Sequence, residues 1–151
     1  MSSALNKSKY QAVIENYFNK IAEKNGLNAL NTAFCHEGAY IHIKRNKLSD
    51  RPIQIIHFST GKETAMLLQP RNLIVVDENA QVQIIERHQS LSENPTLTNS
   101  VTEIFAGKRA VIDYYKVQND KSEASLIDNT FIEQQKESNV AVHTFSFGGK
   151  L

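Results

Sequence analysis

At 151 residues the chain is long enough to bury a sizeable core as one domain without disulfides, and 40% hydrophobic with 22% charged residues is the composition of an ordinary globular protein. Seventeen basic residues against sixteen acidic ones leave a formal charge of +1, so no global field argues for nucleic acid or an anionic membrane as partner. One cysteine, Cys35, excludes an internal disulfide and suits a reducing compartment.

Met1-Ser2-Ser3 lacks the basic segment and apolar run of a secretory leader, and no apolar stretch approaches the ~20 residues of a spanning helix. A cytoplasmic protein with no membrane and no nucleic-acid partner is expected. Lys7 to Lys24 carries the one long helical signal: Tyr10, Val13, Ile14, Tyr17, Phe18 and Ile21 recur at three- and four-residue steps as an apolar stripe. Asn6 or Ser8 would cap its start, Asn25-Gly26 would stop it in a left-handed turn, and Asn16, Asn19, Lys20, Glu23 and Lys24 would face solvent. The stripe must pack against a β body or a further N-terminal neighbour. Leu27–Ala33 is ambiguous and could form a short helical turn before the first strand.

From Ala39 the period changes to two. Tyr40–Ile43, Ile53–Ile56, Leu73–Val76, Val82–Ile85, Val101–Phe105, Ala110–Val117, Ala124–Phe131 and Val140–Phe147 read as strands. Lys44-Arg45-Asn46-Lys47 reads as a solvated turn, and Asp77-Glu78-Asn79, Ala106-Gly107-Lys108, Asn119–Ser122 and Gln135–Asn139 as tight connections. Ser92–Thr98 is the longest polar linker. No internal repeat is exact in wording, and periodicity alone leaves barrel, sandwich and solenoid open.

Cys35-His36-Glu37 offers a thiolate, an imidazole and a carboxylate, but three consecutive residues in extended chain point to alternate sides and do not converge on one ion. His42, His57, His88 and His143 lie on separate strands; stacking could align some of them, with His42 and His57 the expected pair. Ser59-Thr60-Gly61-Lys62 fails the phosphate-loop pattern, because Ile56 and Glu63 stand where Gly and Ser or Thr are needed. There is no G-x-S-x-G. Glu103 and Asp113 are the one carboxylate pair that could face each other across strands, as a small-molecule- or carbohydrate-binding or -cleaving solenoid or barrel would require.

Leu30–Phe34, Pro52-Ile53-Gln54, Pro70-Arg71-Asn72-Leu73, Thr98–Glu103, Tyr115–Gln118 and the closing Phe145–Leu151 together resemble the SufB/SufD family of the SUF iron–sulfur cluster assembly machinery, on its SufD side. The resemblance implies a mainly β fold, a right-handed parallel β-helix preceded by an N-terminal α-helix, divided here into a helical segment at 1–34 and the first coils of the β-helix at 35–151. It implies a non-enzymatic scaffold acting with a SufB-like subunit and a SufC-like ATPase, with an iron–sulfur cluster only in the full complex and no cofactor in this chain. The family's cluster and ATPase-docking residues match later positions than these, so no catalytic, cofactor or metal residue carries over. As an N-terminal portion ending at Leu151, the last coil is expected to leave backbone groups unpaired and to be unstable or self-associating unless covered.

Overall fold

The computed structural model describes residues 8–22, 25–60, 65–91 and 93–150. The order is α1 (Ser8–Tyr17), α2 (Gly26–Phe34), β1 (Tyr40–Ile43), β2 (Ile53–Ser59), β3 (Met66–Leu68), β4 (Arg71–Val76), β5 (Gln81–Ser90), β6 (Thr96–Ala106), β7 (Val111–Gln118), β8 (Ala124–Gln134) and β9 (Asn139–Ser146). Every strand pairing is parallel. One wall stacks β1, β4, β6 and β8, and the other stacks β2, β5, β7 and β9. A coil is thus one strand in each wall joined by a short turn, which makes the protein a parallel β-solenoid; of the three architectures left open by periodicity, the solenoid is the one formed. β3, absent from the strands expected from sequence, is the start of the second coil. It pairs with the same β6 as β4, and Gln69-Pro70 separates the two.

Parallel strands need crossover connections, and here the crossover is a turn repeated coil after coil. The amides of Lys47, Ala80, Ala110 and Ser138 bond the carbonyls of Lys44, Asp77, Gly107 and Gln135. In each turn the third residue is left-handed: Asn46 (φ 60°), Asn79 (φ 56°), Arg109 (φ 56°) and Glu137 (φ 64°). Asn tolerates that conformation, whereas Arg and Glu occupy it at a steric cost. The turns also bond one another, with Asn46 N to the Glu78 carbonyl at 3.1 Å, Asn79 N to Lys108 at 3.0 Å and Arg109 N to Lys136 at 3.1 Å. Arg45 and Arg109 clasp Glu78 at 2.9 and 2.8 Å, so the basic run at 44–47 is a turn, as its sequence suggests.

Inside, Ile55, Ile74, Val76, Val82, Ile84, Ile104, Ala106, Ile112 and Tyr114 form the main core. In the middle of wall one, β4 and most of β6 are buried on both faces, which explains continuous apolar runs such as Leu73–Val76. The stripe of α1 covers its outer side. Ile14 is buried there against Leu73, Val75 and Phe105, flanked by Tyr10, Val13, Tyr17, Phe18 and Ile21. The neighbour required by that stripe is therefore the β body. No helix among the described residues is long and apolar enough to cross a membrane.

The helical region departs from its sequence reading in two ways. α1 ends at Tyr17, not near Lys24, and Asn19 takes the left-handed conformation instead of Gly26. Asn25 caps the start of α2, accepting from the Asn28 amide at 2.9 Å, so the expected stop signal is a start signal. The cause is long-range: Glu103 on β6 accepts the amides of Asn19 (2.7 Å), Ile21 (3.0 Å) and Ala22 (3.2 Å), unwinding the chain where helix propensity would have continued it. Asn6, Glu23, Lys24 and Gly61-Lys62, singled out above, lie outside the described residues.

Arg71 completes the attachment. It is fully buried, donates to Glu103 at 2.7 Å and to Asn19 Oδ1 at 3.1 Å, reaches Asn31 and Thr32 of α2 at 3.3 Å, and lies over the Phe18 ring at 5.1 Å. The backbone at Gly38 passes so close that a Cβ there would sit 1.7 Å from the Arg71 carbonyl oxygen, and its φ of +146° suits glycine. Removing one member of a buried ion pair strands the other. Arg71→Met should therefore cost about 3–5 kcal/mol in denaturant unfolding and open a new protease site around residues 19–22, and an unchanged midpoint would show that the pair does not anchor the helices. At the exposed end of the stack, Glu137→Gly relieves a left-handed residue and should raise stability by about 1 kcal/mol, seen as roughly 2–4 °C in Tm.

Candidate metal-binding cluster in the solenoid interior

Alternation along β5 turns Val82, Ile84, Glu86, His88 and Ser90 inward. The first two meet apolar partners; the next two do not. Register sets His57 of β2 against His88, and their rings stack at 4.5 Å with 16° between planes. His57 Nε2 lies 2.9 Å from Glu86 Oε1, and His88 Nε2 lies 3.3 Å from the same oxygen without the alignment of a hydrogen bond. Among the described residues, His57, Glu86 and His88 are the three metal-capable side chains whose ligand atoms come together, all within 4.8 Å of one another.

The carboxylate is held from its other sides as well. Asn72 Nδ2 donates to Glu86 Oε1 at 2.8 Å and to Thr102 Oγ1 at 3.1 Å, while its Oδ1 accepts the Ala39 amide at 2.9 Å. The buried Tyr114 hydroxyl donates to Glu86 Oε2. Burial alone would push the Glu86 carboxyl up, but the imidazoles of His57 and His88 outweigh it and hold the group below the ordinary carboxylate range. The polar column continues into the next coils: Lys116, the register partner of Glu86, pairs with Asp128 across the interior and donates to Thr130.

A cleft of about 780 Å³ opens onto this end of the interior. His57 and His88 line it with His36, Glu37, Ser59 and Gln89. His36 and Glu37 of the Cys35-His36-Glu37 run therefore face the same space. Cys35 instead ends α2, with its Sγ 3.5 Å from the Thr32 carbonyl oxygen, and the three do not converge.

Other sequence expectations are corrected. His42 does not pair with His57: it sits on wall one, 3.0 Å from Asp77, and the partner of His57 is His88 on the adjacent rung of wall two. His143 stacks on Tyr115 at 4.8 Å. Glu103 and Asp113 do not face each other. Glu103 stands on wall one opposite Leu73 and Phe131 and is consumed by Arg71 and three amides, whereas Asp113 is on wall two opposite Gln83 and Ala141. The carbohydrate-type carboxylate pair is thereby lost. Glu86-Arg87-His88 was the missed signal, an acid and an imidazole two apart on a strand and hence on one face.

Parallel coils of two strands, turns that stack on themselves and an N-terminal helical cover define the chain as a parallel β-solenoid. Two family models match it end to end: the SufBD protein N-terminal region over residues 2–55, and the SUF system FeS cluster assembly SufBD core domain over residues 57–151. The chain belongs to the SufBD family. It is 32% identical over 130 residues to an iron–sulfur cluster assembly SufBD family protein of Synechocystis, 26% over 111 residues to the iron–sulfur cluster assembly protein SufD of Bacillus subtilis, and 30% over 113 residues to a chloroplastic SufBD family protein of Arabidopsis thaliana. These matches take in 81%, 71% and 73% of this chain but 29%, 25% and 20% of the relatives, so the chain spans about a quarter of their length.

The Tyr114 hydroxyl is a hydrogen bond to a buried charge. Tyr114→Phe should cost about 1.5–3 kcal/mol in the denaturant midpoint while leaving the strand signal in circular dichroism unchanged; a cost below about 0.5 kcal/mol would mean that the carboxylate is satisfied without it.

Proposed function

We propose that this chain serves as part of a SufD-like, non-enzymatic scaffold in iron–sulfur cluster assembly, acting with a SufB-like subunit and a SufC-like ATPase in the cytoplasm. The observation that carries the reading is the match of both SufBD family models, in their proper order, across residues 2–151. The fold is compatible with it. A solenoid grows by adding coils, and the outer edges of β8 and β9, with Val142, Phe145 and Phe147 exposed beside them, offer parallel strand edges and apolar surface for continuation or for a partner. No cluster is assigned to this chain; in the proposal it belongs to the whole assembly.

Anaerobic affinity capture of the tagged gene product from its own organism tests the reading. SufB-like and SufC-like proteins should co-elute, and deletion of the gene should lower the activity of iron–sulfur enzymes several-fold. Normal iron–sulfur enzyme activity in the deletion strain, with neither partner captured, would overturn it.

A further inference from the structure

We propose that His57, Glu86 and His88 form a site for one divalent transition-metal ion of the Zn²⁺ type, buried in the solenoid and reached through the adjoining cleft. This goes beyond the scaffold reading and does not depend on it.

The placement follows from two periodicities. Period two along β5 sets Glu86 and His88 on one inward face, and in-register stacking sets His57 on the neighbouring rung directly beside His88. The two Nε2 atoms thereby lie 2.9 and 3.3 Å from one carboxylate oxygen. Two of the ligand-atom separations are near the ~3 Å spacing that a small ion with bonds of roughly 2.0–2.2 Å requires, and all three ligand atoms lie within 4.8 Å of one another.

An independent observation comes from His88. The residue is 4% exposed, and its Nε2 is buried with no aligned hydrogen bond, its contact with Glu86 Oε1 being 3.3 Å long and off line. A buried ring nitrogen left unsatisfied is costly, and coordination would remove that cost. The surroundings match those of ligand sets. Asn72 and Tyr114 fix the carboxylate through both oxygens, the outer support that metal-binding carboxylates receive. His57, with its side chain 19% exposed, stands at the cleft, which leaves an open side for water or another small ligand.

The donor set selects the ion. Two imidazoles and one carboxylate suit zinc and its neighbours in the first transition row. Calcium and magnesium want six or more oxygens, and cuprous ion prefers sulfur.

The test uses the 151-residue chain with Cys35→Ser, so that the thiol takes up no metal, stripped with chelator and titrated with Zn²⁺ by calorimetry and with Co²⁺ by visible absorption. One ion per chain is expected, with the intense d–d bands of low-coordinate cobalt and a Zn²⁺-dependent rise in Tm. His57→Ala, at the cleft edge, should fold and lose roughly 100-fold in affinity together with the Tm response, since a ligand should matter at least as much as its outer support. His143→Ala removes an exposed imidazole and should change nothing. No binding by the folded chain, or binding equal in the His57→Ala and parent chains, overturns the site.

Discussion

In-register parallel stacking is the constraint from which the rest follows. A residue's nearest neighbours are those about one coil away, as with Arg71 beside Val101 and Gln81 beside Val111, and only secondarily those adjacent in sequence. Whatever one coil places inside, the next must accommodate at the same height. Apolar groups do so readily: Ile84 beside Ile53 and Ile74 beside Ile104 simply extend a ladder. A polar group does so only if the ladder supplies its partner. Asn72 answered by Thr102, Gln69 by Asn99 at 2.7 Å and His57 by Glu86 at 2.9 Å show how neighbouring coils supply such partners.

Arg71 and Glu103 apply the same rule to the outer face. An ion pair without solvent contact is stable only when its remaining donors and acceptors are used, and here three backbone amides and the side chains of Asn19, Asn31 and Thr32 use most of them. Those partners all come from the helical region. The pair therefore couples two parts of the chain that hydrophobic packing would hold only loosely in register, and it fixes where α1 must end.

The strands were largely legible because period-two alternation is a local signal. Val82, Ile84 and the polar Gln81 and Gln83 between them announce β5 by themselves. The apolar stripe of α1 was legible for the same reason. What could not be read was anything decided across a coil. The end of α1 depends on a carboxylate some eighty residues away, and Asn25-Gly26 fits a stop and a start equally well until that contact is known. The turn that repeats at Asn46, Asn79, Arg109 and Glu137 is invisible as a motif, because two of its four residues defy the preference that would mark it. The histidines failed similarly: Tyr40–Ile43 and Ile53–Ser59 are consecutive strands, so His42 seemed the natural partner of His57, yet consecutive strands lie in opposite walls.

The division of the interior bears on why polar groups are there at all. Near the turns it is filled by Ile, Val and Ala; farther along the strands it holds Glu86, His88, Tyr114, Lys116 and Asp128. A solenoid that needed only rigidity could have continued the aliphatic ladders. Aliphatic ladders, however, specify register weakly. A two-residue slip of β7 against β5 keeps every inward residue inward, so the alternation does not oppose it. The polar groups do, because the slip would take Lys116 away from Asp128 and pull the Tyr114 hydroxyl from the Glu86 carboxylate, leaving buried charge without compensation. Tyr114, Lys116 and Asp128 are accounted for by that role. His88 is not fully accounted for: it stacks in register on His57 and lies 3.3 Å from Glu86, yet its Nε2 makes no aligned hydrogen bond, and that is where the column points to a ligand as well as to the fold.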